Sequence, residues 1–407
     1  MKRRAFIEGS LLATGGTLVG HQRSSEPASD IKIKKVSFYQ PPDPGRDLMA
    51  QSKAVVTVEC NNGMVGIGEG GAPDTVKNVA GWLIGQDPMR SEHLWQLMLR
   101  GYFYPGGREL QHAIGALDIA LWDLKGKILK TPIYNLLGGQ VRNYIELYST
   151  GYPSQGTLTE TARHCVSTGF KAFRTHGKAN TGEYDVHKAV ENDFEHCRQI
   201  YEGVKEIGTW AIDFHARYNK PNALRLATML EELDPLFVED LIRSENQDIY
   251  KVLRNQIKVP LALGEQFGFR WDFHKLVEED IMDYCRVTLP NCAGITEYKK
   301  IMSMCETHYV GIIPHFTGPI STAALTHCLT AFPGFGMMEF LGGTLKPESH
   351  LNESYIDFRD GRLFPIDRPG LGIELDTSVC EKILEVDTAA NYEFPMLHRP
   401  DGSFTNW

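Results

Sequence analysis

Apolar and polar positions fall into two textures along the chain. Residues 31–39, "IKIKKVSFY", alternate with the period of a half-buried strand. "AVVTVECNNGMVGIGEGG" (54–71) reads as a hairpin turning at Asn61-Asn62-Gly63. Helical spacing runs from about 74 to 130, clearest in "HAIGALDIALWDLKGKIL", and Pro132 with Gly138-Gly139 closes it. This first block predicts an α+β unit. From about residue 145, short apolar runs alternate with amphipathic segments. They are "IELYST" (145–150), "GFKAFRTH" (169–176), "GTWAIDFH" (208–215), "PLFVED" (235–240), "VPLALGE" (259–265), "YCRVTL" (284–289), "VGIIPH" (310–315) and "GMMEFLG" (336–342). Helix-forming stretches such as "NALRLATMLEEL" and "GITEYKKIMSMCETH" separate them. Eight such runs predict a parallel α/β barrel. The segment from about 355 is polar and turn-rich, and is expected to return to the first block.

Composition adds exclusions. The 407 residues are 42% hydrophobic, which is ample for a large core, and carry a formal net charge of −9 without a basic run. Neither nucleic acid nor an anionic membrane surface is an expected partner. The eight cysteines form no CxxC pair, so a zinc site of short spacing is not expected and the thiols read as free and buried. After the N-terminus no apolar run is long enough to predict a membrane span. The start, "MKRRAFIEGSLLATGGTLVG", pairs Arg3 with Arg4 ahead of a mild apolar stretch and resembles a twin-arginine export signal. Residues 1–29 are therefore expected to lie outside the fold and to direct export to the periplasm. The alternative is a disordered basic tail on a cytoplasmic protein. Export after cytosolic folding fits unpaired cysteines.

The ends of the apolar runs carry the chemistry. Run two ends in Arg174 and His176, run three in Asp213 and His215, run four in Glu239-Asp240 and run five in Glu265. Run six carries Arg286 and Thr288, run seven ends in His315 and run eight carries Glu339. In a parallel barrel these ends open on one face, where such folds keep their active sites. Buried charges must pair, bind a cation or reach water. Asp213, Glu239 and Glu265 follow one another at intervals of 26 residues, one βα unit each. Three neighbouring carboxylates suit a hard cation such as Mg²⁺, whereas zinc prefers His or Cys. The plainer reading is a set of strand-end salt bridges. Asp213 and His215, two apart in "AIDFHARYN", are expected to share one side of the strand end.

The chain resembles the enolase superfamily in its mandelate racemase and muconate lactonizing enzyme branch. The resemblance rests on "GIGEGG", "ALDIALWDLKGK", "PIYNLLGG" and "PGLGIELD" at the two ends, and on "IDFH", "FVED", "LGEQ", "GITE" and "IIPH" between them. It covers nearly everything after residue 30. It implies a modified (β/α)7β barrel under an α+β capping domain built from both termini. The implied layout is a tail over 1–29, the cap over 30–144, the barrel over 145–355 and a segment over 356–407 completing the cap. It also implies Mg²⁺ on Asp213, Glu239 and Glu265, and loss of a proton alpha to a carboxylate to give an enediolate; this superfamily is a standard example of a Lys or His base beside Mg²⁺. A homo-oligomer, from dimer to octamer, is the implied assembly.

Departures from the branch narrow the reading. Members often carry Lys-x-Lys where this chain has Arg174-Thr175-His176, and an Asp where it has Thr288, which removes the partner of a racemase-type His315. Asp213-x-His215 with Arg286 is similar to the sugar-acid dehydratases of mannonate and galactonate type. That likeness implies His215 as the acid for a departing 3-hydroxyl, with His315, or Arg174 helped by Tyr184, as base, and His176 as a further catalytic candidate. Arg286, Glu339, Tyr184 and Arg46 are the candidate substrate contacts, Arg46 from the loop at 41–46. Arg270 and Trp271, after run five, are further candidates, and His112 is read as structural. The expected partner is a small sugar acid. The competing functions are a racemase, epimerase or cycloisomerase on the same scaffold, and a binding relative that keeps the metal site without catalysis.

Overall fold

The computed structural model describes residues 30–42, 54–101, 104, 106–178, 184–315, 317–341, 348–351, 355–390 and 398–405. The export-like tail and Arg46 lie outside the described residues.

The first block is a meander under helices. Strands β1 (Ile33–Gln40), β2 (Val55–Cys60) and β3 (Val65–Glu69) pair antiparallel in that order. Helices α1 (Pro73–Ala80), α2 (Ser91–Arg100), α3 (Arg108–Ile128) and α4 (Ile133–Leu136) follow. A Cβ on Gly66 or Gly68 would stand 2.1 Å from the Ala120 carbonyl oxygen or 1.9 Å from that of Ala116. Only glycine lets β3 lie directly on α3, and this is why "GIGEGG" reads as it does.

Helix α3 is apolar on almost every side, as a helix buried between two bodies must be. Its two aspartates, Asp118 and Asp123, are both fully buried. Asp123 accepts from the Ile67 amide at 3.0 Å and the Leu371 amide at 2.8 Å, and pairs with Lys127 at 2.8 Å. Asp118 accepts from the amide and hydroxyl of Thr296 at 2.8 and 2.6 Å.

The second texture forms the predicted alternation. Strands β4 (Ile145–Thr150), β5 (Ala172–His176), β6 (Thr209–Asp213), β7 (Phe237–Glu239), β8 (Leu261–Leu263), β9 (Tyr284–Cys285), β10 (Gly311–Ile312) and β11 (Met337–Leu341) occupy the eight apolar runs. Helices α5 (Leu158–Ser167), α6 (Val186–Val204), α7 (Lys220–Leu230), α8 (Asp248–Arg254), α9 (Arg270–Glu278), α10 (Ile295–Thr307) and α11 (Pro319–Ala331) fill the seven gaps. β4 to β10 pair parallel in sequence order, and β11 pairs parallel with β4. Between β10 and β11 the ladder thins to one parallel bridge, Ile312 to Gly336. The result is a (β/α)7β, TIM-barrel-like domain. Thr296, at the start of α10, ties it to the cap through Asp118.

The C-terminal segment was expected to return whole to the first block, and it divides instead. β12 (Asp357–Arg359) and β13 (Arg362–Phe364) form a hairpin whose β13 pairs antiparallel with the start of β4, so it belongs to the barrel sheet. β14 (Glu381–Val386) returns to the cap on the free edge of β1, and its flanks touch cap helices, with the Leu371 amide on Asp123, the Ala390 amide on the Gly81 carbonyl and Phe404 against His93. The reason is that β4 has an unpaired flank below its ladder with β5, which begins at Tyr148, and a short hairpin covers it.

Candidate functional site

The barrel puts the predicted side chains on one rim. His176, Asp213 and Glu239 are register partners on β5, β6 and β7. Arg174 sits two residues lower on β5, opposite Ala211. Glu239 pairs with Ala262, so Glu265 stands three residues beyond that rung, past the end of β8. Equal sequence spacing thus does not give equal height, because strands in a barrel are staggered by its shear. Even so, one ligand atom from each of Asp213, Glu239 and Glu265 lies within 4.8 Å of the other two.

Two arginines underlie these acids. Arg174 Nη2 is 2.5 Å from Asp213 Oδ2 and 3.0 Å from Glu239 Oε2, and its Nη1 is 3.3 Å from Glu339 Oε1. Arg286 reaches Glu239 through Nε and Glu339 through Nη2, both at 2.6 Å. Its Nη1 donates to the Tyr148 hydroxyl and to the carbonyls of Ile313 and Pro314. Arg286 was expected to contact substrate, but it has no exposed surface and its donors are taken. It is a strut beneath the acids. Glu339 accepts in addition from Thr150 at 2.7 Å and is held by both arginines. Burial opposes its ionisation, yet the two guanidiniums hold it well below the usual carboxylate range.

Carboxylates outnumber guanidiniums in this cluster. Asp213, Glu239, Glu265 and Glu339 face the two guanidiniums of Arg174 and Arg286. Burial, reinforced by the neighbouring Asp213 and Glu265 charges, raises Glu239 despite Arg286. Asp240 is pushed well above its usual range by burial and then by Glu265, Glu239 and Asp213, and its Oδ2 has no hydrogen-bond partner among the described residues. An all-oxygen donor set with this surplus of negative charge fits a hard divalent ion. Asp213, Glu239 and Glu265 are the residues that could hold it.

Three histidines border the acids. His215 was expected beside Asp213 through strand alternation, and it arrives there by a turn. His215 and Ala216 have φ of 48° and 58°, in the left-handed region. The turn lets the His215 amide donate to Asp213 Oδ1 at 2.7 Å, while its Nε2 lies 2.8 Å from Asp213 Oδ2. The bond to Asp213 raises the His215 pKa against the opposing effect of burial. His315 Nε2 is 3.2 Å from Glu265 Oε2. Burial lowers the His315 pKa and Glu265 more than restores it. Thr288 is fully buried and its hydroxyl has no hydrogen-bond partner among the described residues, so no racemase-type pair joins it to His315. His176 is exposed, with its ring 5.9 Å from that of His215, and its Nδ1 meets the Gly177 carbonyl at 3.0 Å.

Other candidates stand apart. Tyr184 packs edge-on against Tyr218 at 6.4 Å, and no contact joins it to Arg174 among the described residues. Arg270 pairs with Glu297 and stacks 4.3 Å over Trp271. Sequence reasoning missed Tyr148 and Thr150, which contact Arg286 and Glu339. The signal was present, since both share a strand face in "IELYST" and point inward by alternation.

Comparison with known proteins agrees with this geometry. Residues 157–379 match the family model described as enolase C-terminal domain-like. Residues 46–138 match the N-terminal domain of mandelate racemase / muconate lactonizing enzyme. Among solved structures, an enolase superfamily member from Salmonella Typhimurium is 26% identical, with a TM-score of 0.79 over 88% of this chain and 100% of that one. A candidate dehydratase from Zymomonas mobilis ZM4 is 26% identical, with a TM-score of 0.80 over 88% and 100%. An enolase from Agrobacterium radiobacter, a candidate galactarate dehydratase bound to Na and L-malate, is 26% identical, with a TM-score of 0.77 over 92% and 99%.

Proposed function

The chain belongs to the enolase superfamily, with the mandelate racemase / muconate lactonizing enzyme type of N-terminal domain, and on that premise we propose that it is a Mg²⁺-dependent dehydratase of a sugar acid. The reaction removes the proton alpha to the carboxylate, passes through an enediolate and expels the 3-hydroxyl as water, leaving a 2-keto-3-deoxy acid. The observation that carries this reading is the Asp213–His215 couple, 2.8 Å apart beside the other two acids. It sets a proton donor next to the candidate cation site, where a leaving hydroxyl needs one. The relatives from Zymomonas mobilis and Agrobacterium radiobacter point to the same reaction class.

Mg²⁺ on Asp213, Glu239 and Glu265 would supply positive charge to offset the second negative charge that develops on the substrate carboxylate. The chain's own residues divide the proton work. A carbonyl can only accept, so the contact of His176 Nδ1 with the Gly177 carbonyl puts a hydrogen on Nδ1, and in the neutral ring the lone pair is then on Nε2. His176 is therefore the residue we assign as base. His215 and His315 face carboxylates through Nε2 and so carry a hydrogen there. His215 gives its proton to the departing hydroxyl. Arg174, bound to three carboxylates, orients Asp213 and Glu239 and does not act as base. The geometry does not favour inversion at the alpha carbon, because Thr288 stands where that reading needs an Asp.

The test is a screen of acid sugars with Mg²⁺ in D₂O, read for 2-keto product and for deuterium at the alpha carbon. Dehydration of one aldonate class is the expected result. Exchange without loss of water would establish a racemase or epimerase, and neither would establish a binding relative. His176→Asn should abolish exchange. Its loss in His315→Asn with retention in His176→Asn would move the base to His315, past the end of β10.

A further inference from the structure

The three candidate ligands are not held alike. Asp213 and Glu239 lie within strands and are gripped by Arg174 and Arg286 from inside the barrel. Glu265 lies past its strand end, and its carboxylate meets one ion-pair partner, His315, among the described residues. Its backbone is secured from elsewhere. The Asn291 side-chain amide donates to the Glu265 carbonyl at 2.7 Å. That contact fixes the orientation of the amide, so Asn291 Oδ1 faces the other way, onto His112 Nε2 of α3. His112 must then donate from Nε2. One residue on, Arg108 of α3 donates to the Gln266 carbonyl, and Ser244 donates to the Gln266 side chain at 2.7 Å. A Cβ on Gly268 would meet Arg108 Nη1 at 1.9 Å, so the chain beyond Glu265 runs against the cap helix.

We propose that His112 and Asn291 are positioning residues for the cation site, a relay by which the first turns of cap helix α3 set the place of Glu265. This rests on reading Asp213, Glu239 and Glu265 as one Mg²⁺ site. His112 and Asn291 are 6% and 5% exposed, too buried to meet substrate, so their effect passes through the Glu265 backbone. The barrel alone builds two thirds of the ligand set, and cap docking completes it. Hydrogen-bond partners behind a ligand commonly contribute 10–100-fold to metal affinity.

The experiment titrates the full chain with Mn²⁺ by electron paramagnetic resonance and follows Tm alongside. Wild type should bind one ion. His112→Phe, which keeps a ring and removes the donor, and Asn291→Leu should each weaken Mn²⁺ binding roughly 10–100-fold. His112→Gln, whose amide nitrogen can replace Nε2 as donor, should restore it to within about threefold of wild type. Trp95→Phe breaks a different cap-to-barrel bond, Trp95 Nε1 to the Ala293 carbonyl at 2.8 Å, and should lower Tm with unchanged Mn²⁺ affinity. Unchanged affinity in His112→Phe and Asn291→Leu would overturn the relay and leave the cation site standing. An equal loss in Trp95→Phe would also overturn it, since any loosening of the seam would then suffice. A wild type that binds no Mn²⁺ would remove the cation site and the relay together. Should Asn291→Leu not fold, His112→Phe against His112→Gln decides the matter.

Discussion

Two regions of this molecule bury carboxylates, and they do it in opposite ways. Along the seam between cap and barrel, Asp118 and Asp123 are inside, but their oxygens accept from the amides of Thr296, Ile67 and Leu371, with Lys127 beside Asp123. At the barrel mouth, carboxylates crowd one another as well as two arginines, and Asp240 Oδ2 has no hydrogen-bond partner among the described residues. Both regions carry the desolvation cost of buried charge. The seam satisfies it mainly from backbone amides, the mouth mainly from the two guanidiniums. What separates a structural acid from a chemical one here is its partners, not its burial.

That contrast is open to test. The largest effect should come from Glu239→Gln. It keeps an acceptor for Arg286 and relieves repulsion with Asp213, so circular dichroism should show a folded chain. Loss of several kcal/mol of charge stabilisation should lower Mg²⁺-dependent turnover roughly 10³-fold or more. Unchanged Mg²⁺ affinity by calorimetry would show that the mouth, like the seam, is structural.

Next in size, His215→Asn should slow dehydration by about 10²–10⁴-fold while alpha-deuterium exchange continues, because the acid and base are different residues. Dehydration at near wild-type rate would reduce His215 to a cap on the β6 turn.

At the seam the readout should be stability. Asp118→Ala strips two charge-assisted bonds from the start of α10 and should cost roughly 3–5 kcal/mol in denaturant unfolding. Mg²⁺ affinity should stay within about twofold of wild type, since no contact among the described residues links Asp118 to the mouth. A large affinity loss would blur the distinction between the regions.

The smallest effect concerns pH. His327 on α11 is buried and donates to the Leu371 carbonyl at 3.2 Å, and burial lowers its pKa from 6.5 to about 4. A group depressed on folding contributes stability that is whole above the unfolded pKa and fades as pH falls toward the folded one. Between pH 6.5 and 4 the loss should be about 3 kcal/mol, at 1.36 kcal/mol per unit. His327→Gln keeps a donor and should flatten that part of the stability profile. An unchanged slope would place the acid sensitivity elsewhere.

Much of this was legible in the chain. Apolar runs of six to eight residues alternating with helical spacing predicted eight strands and the helices between them, because side-chain period and run length are local properties. The acids at the ends of those runs followed from the same reading, since parallel strands bring their C-terminal ends to one face. Gly66 and Gly68 of "GIGEGG" stand in the sequence, but what packs against them does not. Tertiary structure alone decided the rest. Barrel shear set Glu265 three residues above the rung of Asp213 and Glu239. A left-handed turn, not strand alternation, brought His215 onto Asp213. An open flank on β4 drew β12 and β13 away from the cap. Arg286 turned inward because the acids around it needed a counter-charge more than the solvent did. The cap's hold on Glu265 joins residues at 108–112, 265–266 and 291, far apart in sequence. Periodicity and strand ends are written locally, so the chain could determine them by itself. Register, stagger and partnership depend on how distant elements meet, and only the packed molecule fixes that.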